Sequence, residues 1–429
     1  MSEQKPQRAA DDGSPRDEGW PVQPNARWPR RCLIENVAIH PSRPWLAAAC
    51  TADALDARDE SEQGPASSGE AYILVFDAEL GTIRTATQVI GEGDSAGWSE
   101  NKDLLRWHPD GRRLAANMGL NGIGLFENAR FVGVAFPDET RDSGVGYVWV
   151  GDRIFADTGA LFELHPGDRR FDLSPMIGAP AFEEIEWNAA IGAVVGRVGN
   201  GIAAFDPVRG KLVYQVPMGD LPASFGMDWS SDGRSCARRH PIAPNVDEVV
   251  FFDGDDGRRI GSVTPSLPRT RTGVWAPDGS LFVMHTEGGR EPRPGKRSES
   301  HVDLVRGGRL VRTLDLASRL PGRSHSIPET SALAPTPAGD AVAILLEDGE
   351  VRVHDAKSGA LRAAFAASTP GIPAGLPDYY RGYPSVPQPV NRGGLLWVTP
   401  DRLVQVAPHF IAFFTPDGKK LAEFVVPDR

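Results

Sequence analysis

Residues 106–136 of the chain read RWHPDGRRLAANMGLNGIGLFENARFVGVAF. The stretch begins with Trp107 next to a Pro-Asp-Gly turn at 109–111, and short apolar runs separated by polar breaks follow. Glycine in such a turn supplies the positive φ that a hairpin requires. Apolar runs of this length, separated by turn residues, predict antiparallel β-strands joined by hairpins.

The same pattern recurs along the chain. Near copies of the anchor are WSSDG at 229–233 and WAPDG at 275–279; shortened or Trp-free versions surround Ile39, Trp149, Trp187, Ala334 and Trp397. A second apolar run follows each anchor, and a third ends in Phe-Asp or a similar pair, as in IAAFD. After a turn comes a fourth run, so each repeat predicts a four-stranded antiparallel meander.

The spacing of the anchors predicts how the meanders assemble. The anchors at 107, 149, 187, 229 and 275 lie 38 to 46 residues apart, and insertions at 52–70, 287–300 and 369–394 lengthen the other intervals. One such sheet cannot bury both faces, but radial stacking covers them. We therefore predict an all-β chain, a single β-propeller of seven or eight four-stranded antiparallel blades. Eight is favoured, and seven results if the weak unit at 145–175 joins a neighbour.

The repeat resembles that of the WD40-like β-propeller superfamily, and the Pro-Asp-Gly anchors are similar to the related PD40 class. LEDGEVRVHDAKSGALRAAF at 346–365 carries the resemblance best, with His354-Asp355 where the family has Trp-Asp. The resemblance covers about residues 30–429 and implies a propeller of bacterial type. No Gly-His dipeptide occurs in the chain, so the match is degenerate and the family's hydrogen-bonded tetrad is expected to be missing from most blades.

The predicted propeller spans residues 29–429. Residues 1–28 are polar and rich in Pro, Asp, Gly and Arg, which predicts a disordered N-terminal tail. Trp20 and Trp28 are exceptions in that tail. They either attach it to the propeller or serve a partner.

Composition and charge exclude several classes of protein. The chain has 46 Lys+Arg against 57 Asp+Glu, a net charge of −11, whereas nucleic-acid and anionic-membrane binding need a basic face. The N-terminus has no apolar signal region, and no apolar run approaches the ~18 residues of a membrane helix. Cys32, Cys50 and Cys236 form no Cys-x-x-Cys pair, which indicates neither a disulfide framework nor a cysteine zinc site. We therefore predict a soluble, cytoplasmic protein that is monomeric on its own.

A search for chemistry assigns no catalytic, cofactor-binding or metal-binding residue. Gly93-Asp94-Ser95-Ala96-Gly97 matches G-x-S-x-G, but it lies in a polar loop rather than in the strand–turn–helix that a nucleophile elbow needs. The nine histidines are scattered without a metal-ligand spacing. The acidic stretch 253–257 lacks the calcium-loop register, so a hairpin turn is the expectation there.

Two of the insertions carry candidate partner-binding residues. Three of the six tyrosines, Tyr379, Tyr380 and Tyr383, lie beside Arg381 in a Pro-rich loop. Tyr and Arg are common interface hot-spot residues, and the prolines stiffen the loop. The alternative is that these rings cap the propeller itself. The second candidate is the basic loop, with Arg290, Arg293, Lys296 and Arg297, which is otherwise a solvated, protease-sensitive insertion.

These observations favour a non-enzymatic protein–protein interaction scaffold or a regulatory subunit. In bacteria, such a protein would belong to a regulatory or defence complex. No cofactor is expected, and the partners are one or more proteins. One alternative is a propeller hydrolase or lyase with a metal in the central channel. Another is a protease target whose function changes when the 287–300 loop is cut.

Overall fold

Eight four-stranded antiparallel sheets make up the computed structural model of the chain. The structure describes the residues 20–29, 32–52, 70–89, 105–117, 122–135, 146–165, 170–175, 179–218, 227–243, 246–264, 269–286, 300–316, 332–346, 349–370 and 394–427. In every sheet the four strands are neighbours in chain order. Each sheet is therefore one repeat of the sequence, or one blade.

Blades 1 to 4 comprise β1 (Cys32–Ile39), β2 (Trp45–Ala52), β3 (Glu70–Asp77), β4 (Thr82–Gln88), β5 (Leu105–Trp107), β6 (Arg113–Asn117), β7 (Ile123–Glu127), β8 (Arg130–Ala135), β9 (Tyr147–Val150), β10 (Arg153–Ala156), β11 (Ala160–His165), β12 (Arg170–Pro175), β13 (Ile185–Asn188), β14 (Ala193–Val198), β15 (Gly201–Asp206) and β16 (Lys211–Pro217). Blades 5 to 8 comprise β17 (Met227–Trp229), β18 (Ser235–Ala243), β19 (Val246–Asp253), β20 (Arg259–Val263), β21 (Arg269–Trp275), β22 (Ser280–Thr286), β23 (Ser300–Arg306), β24 (Arg309–Asp315), β25 (Leu333–Pro335), β26 (Ala341–Leu345), β27 (Glu350–Asp355), β28 (Leu361–Ala366), β29 (Gly394–Thr399), β30 (Arg402–Ala407), β31 (Phe410–Phe414) and β32 (Lys420–Val425).

The blades form a closed β-propeller, as the sequence predicts, with eight blades rather than seven. First strands of consecutive blades contact one another, as β1 does with β5 and β21 with β25, so they are the innermost strands. Blade 8 packs on blade 1, where the N–H of Ile34 donates to the carbonyl of Pro408 (2.8 Å). The weak unit at 145–175 is a complete blade. All four strands of blade 8 come from the continuous stretch 394–425, so the ring closes without exchanging a strand.

The tryptophan anchors hold consecutive blades together. Each lies at or near the end of a first strand, as Trp107 does in β5. Three indole N–H groups donate to backbone carbonyls on the first strand of the preceding blade: Trp107 to Ala38 (3.2 Å), Trp149 to Arg106 (3.0 Å) and Trp397 to Ala334 (2.9 Å). These three tryptophans therefore connect consecutive blades through hydrogen bonds.

Where the third strand of a blade ends in Asp, this residue caps the hairpin that follows. The carboxylate of Asp77 accepts the backbone N–H groups of Glu79 (3.0 Å) and Leu80 (2.9 Å), and Asp206 does the same two and three residues ahead. Such Asx turns satisfy backbone donors where the ladder ends. Asp253 likewise accepts the N–H of Asp255 (2.8 Å), so the acidic stretch 253–257 is a hairpin turn.

The N-terminal segment 20–29 lies along the outer strand of blade 1. The backbone N–H of Gln23 donates to the carbonyl of Arg84 (2.9 Å), and its side-chain oxygen accepts the N–H of Ala86 (3.0 Å). The guanidinium Nε of Arg84 donates in turn to the carbonyl of Trp20 (2.6 Å). The segment therefore covers an edge strand that has no further strand beside it in its own sheet.

Two indole rings anchor this segment at both sides of blade 1. Trp20 is fully buried between blades 1 and 2, where it donates to the carbonyl of Arg112 (2.9 Å) and its ring meets that of Trp107 at 5.1 Å. Trp28 packs between blades 8 and 1, 5.6 Å from the ring of Phe76. Trp20 and Trp28 therefore attach the N-terminal segment to the propeller, which is one of the two roles predicted for them. Residues 1–19 of the predicted tail lie outside the described residues.

Cys32 and Cys50 form a disulfide between β1 and β2, with 5.5 Å between their Cα atoms. The expectation of no disulfide framework is wrong in this respect. The strand register places Cys50 opposite Ile34 and Cys32 opposite Ala52, so the two cysteines are diagonal neighbours. Their spacing in the sequence does not reveal a pairing that depends on a hairpin register. Cys236 is buried and takes no part in a disulfide.

The disulfide gives a test of the compartment. Disulfides persist mainly in oxidising compartments, whereas we expected a reducing, cytoplasmic one. Protein purified from its native source in the presence of an alkylating agent should show a single thiol on denaturation, that of Cys236, and two more after reduction, measured by mass spectrometry. Three alkylated thiols before reduction would contradict the disulfide and support the reducing compartment.

Candidate functional site

The two faces of the ring differ in how their connections are built. Because the strands of each blade alternate in direction, connections from first to second and from third to fourth strands share one face, the turn face. Connections from second to third strands, and from one blade to the next, share the other, the loop face. Described connections on the turn face are short, such as the five residues 108–112 and the two residues 307–308.

All three insertions begin and end at the loop face. The insertion at 52–70 joins β2 to β3 in blade 1, the one at 287–300 joins β22 to β23 in blade 6, and the one at 369–394 joins blade 7 to blade 8. Blades 6, 7, 8 and 1 are consecutive around the closed ring. The topology therefore brings the ends of the insertions to one arc of one face, which the sequence did not predict.

The predicted partner-binding residues lie outside the described residues. This holds for both sets, Tyr379, Tyr380, Arg381 and Tyr383 in one insertion and Arg290, Arg293, Lys296 and Arg297 in the other. Gly93–Gly97, with its G-x-S-x-G pattern, is also outside them. What the structure provides is the framework from which the two insertions leave.

The chain enters the insertion at 369–394, which we call the Tyr insertion, from a fixed position on blade 8. The backbone N–H of Ser368 donates to the side-chain oxygen of Gln405 (2.8 Å), and the Gln405 amide donates back to the Ser368 carbonyl (3.1 Å). Gln405 is fully buried, and Ser368 also hydrogen-bonds Glu423. A hydrogen-bonded polar pair in the core is rigid, so the loop root is held in place.

His409 lies next to this root. Burial lowers the pKa of its imidazole, and a hydrogen bond to the backbone of Pro370 opposes that shift. Its Nε2 is buried and has no hydrogen-bond partner among the described residues. At neutral pH the ring is therefore in its uncharged form, because both the ordinary value and the shift lie on that side.

A buried polar cluster on blade 6 lies at the root of the insertion at 287–300, which we call the basic insertion. His285 and Asp303 are 1% and 0% exposed in their side chains, with Nε2 and Oδ2 3.2 Å apart. Thr313 Oγ1 donates to the other oxygen of Asp303 (2.6 Å). No motif in the sequence marks these residues. The one local signal is that Asp303 interrupts the apolar run VDLV at 302–305.

The order of groups in this cluster does not suit nucleophilic catalysis. An activated hydroxyl needs a base such as histidine beside it, with the carboxylate behind that base. Here the carboxylate of Asp303 stands between Thr313 and His285, so the hydroxyl donates directly to an acid. The cluster joins three adjacent strands of the blade where the basic insertion leaves.

A bidentate ion pair joins innermost strands of blades 2 and 4. The two terminal guanidinium nitrogens of Arg106 each lie 2.8 Å from a different carboxylate oxygen of Glu186, and each side chain is about one-fifth exposed. Trp149 of the intervening blade donates to the backbone carbonyl of Arg106. Two parallel hydrogen bonds fix the orientation of both side chains. The ion pair and the Trp149 hydrogen bond therefore connect blades 2, 3 and 4.

Among the residues that the structure describes, no group of three or more His, Cys, Asp or Glu side chains could hold a metal ion. No helix long and apolar enough to cross a membrane occurs in the same part of the chain.

The comparisons with known proteins find similar solved structures. Sqt1 from Saccharomyces cerevisiae superposes with a TM-score of 0.51 at 13% identity, covering 78% of this chain and 86% of Sqt1. The computationally designed Ika8 protein gives 0.46 at 10% identity, with 92% and 96% covered. A chain of the mitotic checkpoint complex gives 0.44 at 13%, with 81% and 95% covered. No protein-family model and no curated protein matches the sequence.

The likeness to Sqt1 settles the type of fold. The chain is folded as a WD40-like eight-bladed β-propeller. At 13% identity the likeness shows the fold alone, and the resemblance seen in the sequence is confirmed at that level. Function has to be argued from this propeller's own surfaces.

Proposed function

We propose that this WD40-like propeller is a non-enzymatic scaffold or regulatory subunit that binds one or more protein partners through its loop face. The observation that carries the proposal is the convergence of the insertions at 52–70, 287–300 and 369–394 on one arc of that face. A rigid ring with long loops on one side suits binding, because the ring itself loses little conformational entropy when a partner binds.

Within that face, we assign the main contacts to the Tyr insertion. Tyr379, Tyr380 and Tyr383 offer large aromatic surfaces with a hydroxyl, and Arg381 adds a charged fork. The fixed root at Ser368 supports this assignment, since a loop that starts from a fixed position loses less entropy on binding.

The basic insertion is proposed as a second contact. Arg290, Arg293, Lys296 and Arg297 form a positive cluster in a chain of net charge −11. Such a cluster steers an acidic surface of the partner towards the ring. We further propose a bacterial regulatory or defence complex as the setting, with a protein that is monomeric until it meets its partner.

The triple variant Tyr379→Ala/Tyr380→Ala/Tyr383→Ala tests the assignment. We expect it to abolish capture of the partner from native lysate, a loss of at least about tenfold, because hot-spot aromatics carry most of the binding energy. The measurement is quantitative mass spectrometry of proteins that co-purify with tagged wild type and variant. The control replaces Val208, which is 73% exposed on the turn face, by Ala.

Two results decide the outcome. The variant must keep the wild-type circular dichroism spectrum and melting temperature, so that lost binding reports the loop and not the ring. A folded triple variant that still captures the same partner in equal amount would refute the role of the Tyr insertion.

A further inference from the structure

His40 joins blades 1 and 2 at the turn face, directly after the end of β1. It is buried, and its Nδ1 accepts the backbone N–H groups of Ser42 (3.1 Å) and Arg43 (2.9 Å). A ring nitrogen that accepts hydrogen bonds carries no proton, so the proton is on Nε2. Nε2 therefore donates to the carbonyl of Gly111 in blade 2 (3.0 Å). Together these contacts require the uncharged form of the imidazole.

Two other blades make the same contact from the residue that follows the anchor. In blade 2, Nε2 of His108 lies 2.8 Å from the carbonyl of Gly151 in blade 3. In blade 4 the residue is Asn188, whose Nδ2 donates to the carbonyl of Gly233 in blade 5 (3.3 Å). The side-chain oxygen of Asn188 accepts the N–H of Ala190 (3.0 Å). A neutral amide thus makes both kinds of contact at this position of the fold without a group that titrates.

The surroundings of His40 disfavour its protonated form. Burial lowers the pKa of the imidazole, and the guanidinium groups of Arg43, in its own turn, and Arg84, on β4, lower it further. The hydrogen bond to Gly111 and the carboxylate of Asp110, both in blade 2, oppose the shift. Because the pKa in the folded chain lies below the ordinary value of 6.5, the stabilisation is complete above pH 6.5 and is lost as the pH falls below it.

Two chains of contacts connect His40 to the N-terminal segment. The first is aromatic: the ring of His40 lies 4.7 Å from that of Trp107, which in turn meets the ring of Trp20 at 5.1 Å. The second passes through Arg84. Its guanidinium lies 4.1 Å from the ring of Trp45, which faces His40 at 4.9 Å, and its Nε donates to the carbonyl of Trp20 (2.6 Å). A positive charge on His40 would therefore repel the group that holds Trp20.

We propose that protonation of His40 is an acid-sensitive switch that releases the N-terminal segment from blade 1 and uncovers the edge of β4. The protonated ring no longer accepts the two backbone N–H groups of its own turn, so the contact between blades 1 and 2 loosens around Trp20. Release of the segment frees the carbonyl of Arg84 and the N–H of Ala86 from Gln23. Edge groups of this kind are those with which a further strand pairs. The switch is independent of the loop face.

Hydrogen exchange of the full chain, measured by mass spectrometry at about pH 7.5 and about pH 5.5, on either side of the ordinary histidine pKa, tests the switch. The reporters are the amides of Gln23 and Ala86, with rates corrected for the intrinsic effect of pH. Their protection in wild type should fall about tenfold, since one proton changes an opening equilibrium by up to about tenfold per pH unit. His40→Asn should reduce this loss to less than about twofold. His108→Asn, the same change one blade further from the segment, is the matched control and should respond as wild type does.

A second variant tests the charge and decides the outcome if His40→Asn does not fold by circular dichroism. Arg43 is exposed, and Arg43→Glu keeps the backbone N–H that the ring accepts. The new carboxylate would favour the protonated ring, so the acid-induced loss of protection should be smaller than in wild type. Undiminished protection in wild type at the lower pH, or an equal loss in wild type and the folded variants, would overturn the proposal. Neither result bears on partner binding at the loop face.

Discussion

Replacing Trp20 by alanine should lower the free energy of unfolding by about 3–5 kcal/mol, the usual cost of removing a large buried aromatic side chain. The indole is 0% exposed, packs on Trp107 and donates to the carbonyl of Arg112. Its removal leaves a cavity between blades 1 and 2 and releases the segment that covers β4. Equilibrium urea denaturation, followed by far-UV circular dichroism, measures the change.

Val22→Ala is the control for this prediction, because Val22 belongs to the same segment but is 60% exposed. It should change the stability by no more than about 0.5 kcal/mol. If Trp20→Ala costs no more than Val22→Ala, the segment does not dock on blade 1 as described.

Replacing Asp303 by alanine should cost about 3–5 kcal/mol, because it leaves a buried polar network without its central acceptor. The Asp303 carboxylate is fully buried, faces His285 at 3.2 Å and accepts the hydroxyl of Thr313. The double variant His285→Leu/Asp303→Leu should be less destabilised than Asp303→Ala alone, since an apolar pair replaces both buried polar groups. Urea denaturation of the three proteins gives the comparison.

Asp315→Ala serves as the matched change on the same blade. The Asp315 side chain is 72% exposed and lies 3.9 Å from His301, so its loss should cost less than about 1 kcal/mol. Equal destabilisation by Asp303→Ala and Asp315→Ala would show that the cluster at the root of the basic insertion is not buried in solution.

The repeat could be predicted from the sequence because its signals are local. Strand length, the Asp-Gly hairpins and the Trp anchors each act within a few residues. The order of four short strands recurs in every blade, so even the weak unit at 145–175 fitted the count. The anchors also showed where blades meet. Their hydrogen-bond acceptors, such as Ala38 for Trp107, lie one blade earlier and could not be identified from local pattern.

Features that depend on distant parts of the chain were missed. The disulfide between Cys32 and Cys50 requires a particular register of β1 and β2, and the burial of Trp20 requires blade 2 to be in place. The common face of the insertions follows from strand direction in a closed ring.

Site-specific photocrosslinking tests the central claim, binding of a protein partner at the loop face, most directly. The photoreactive residue benzoylphenylalanine replaces exposed Thr369 at the root of the Tyr insertion in one protein and Val208, 73% exposed on the turn face, in another. After irradiation in native lysate, the account predicts a crosslinked partner from position 369 and none from position 208. The same partner crosslinked from 208 but not from 369 would contradict it.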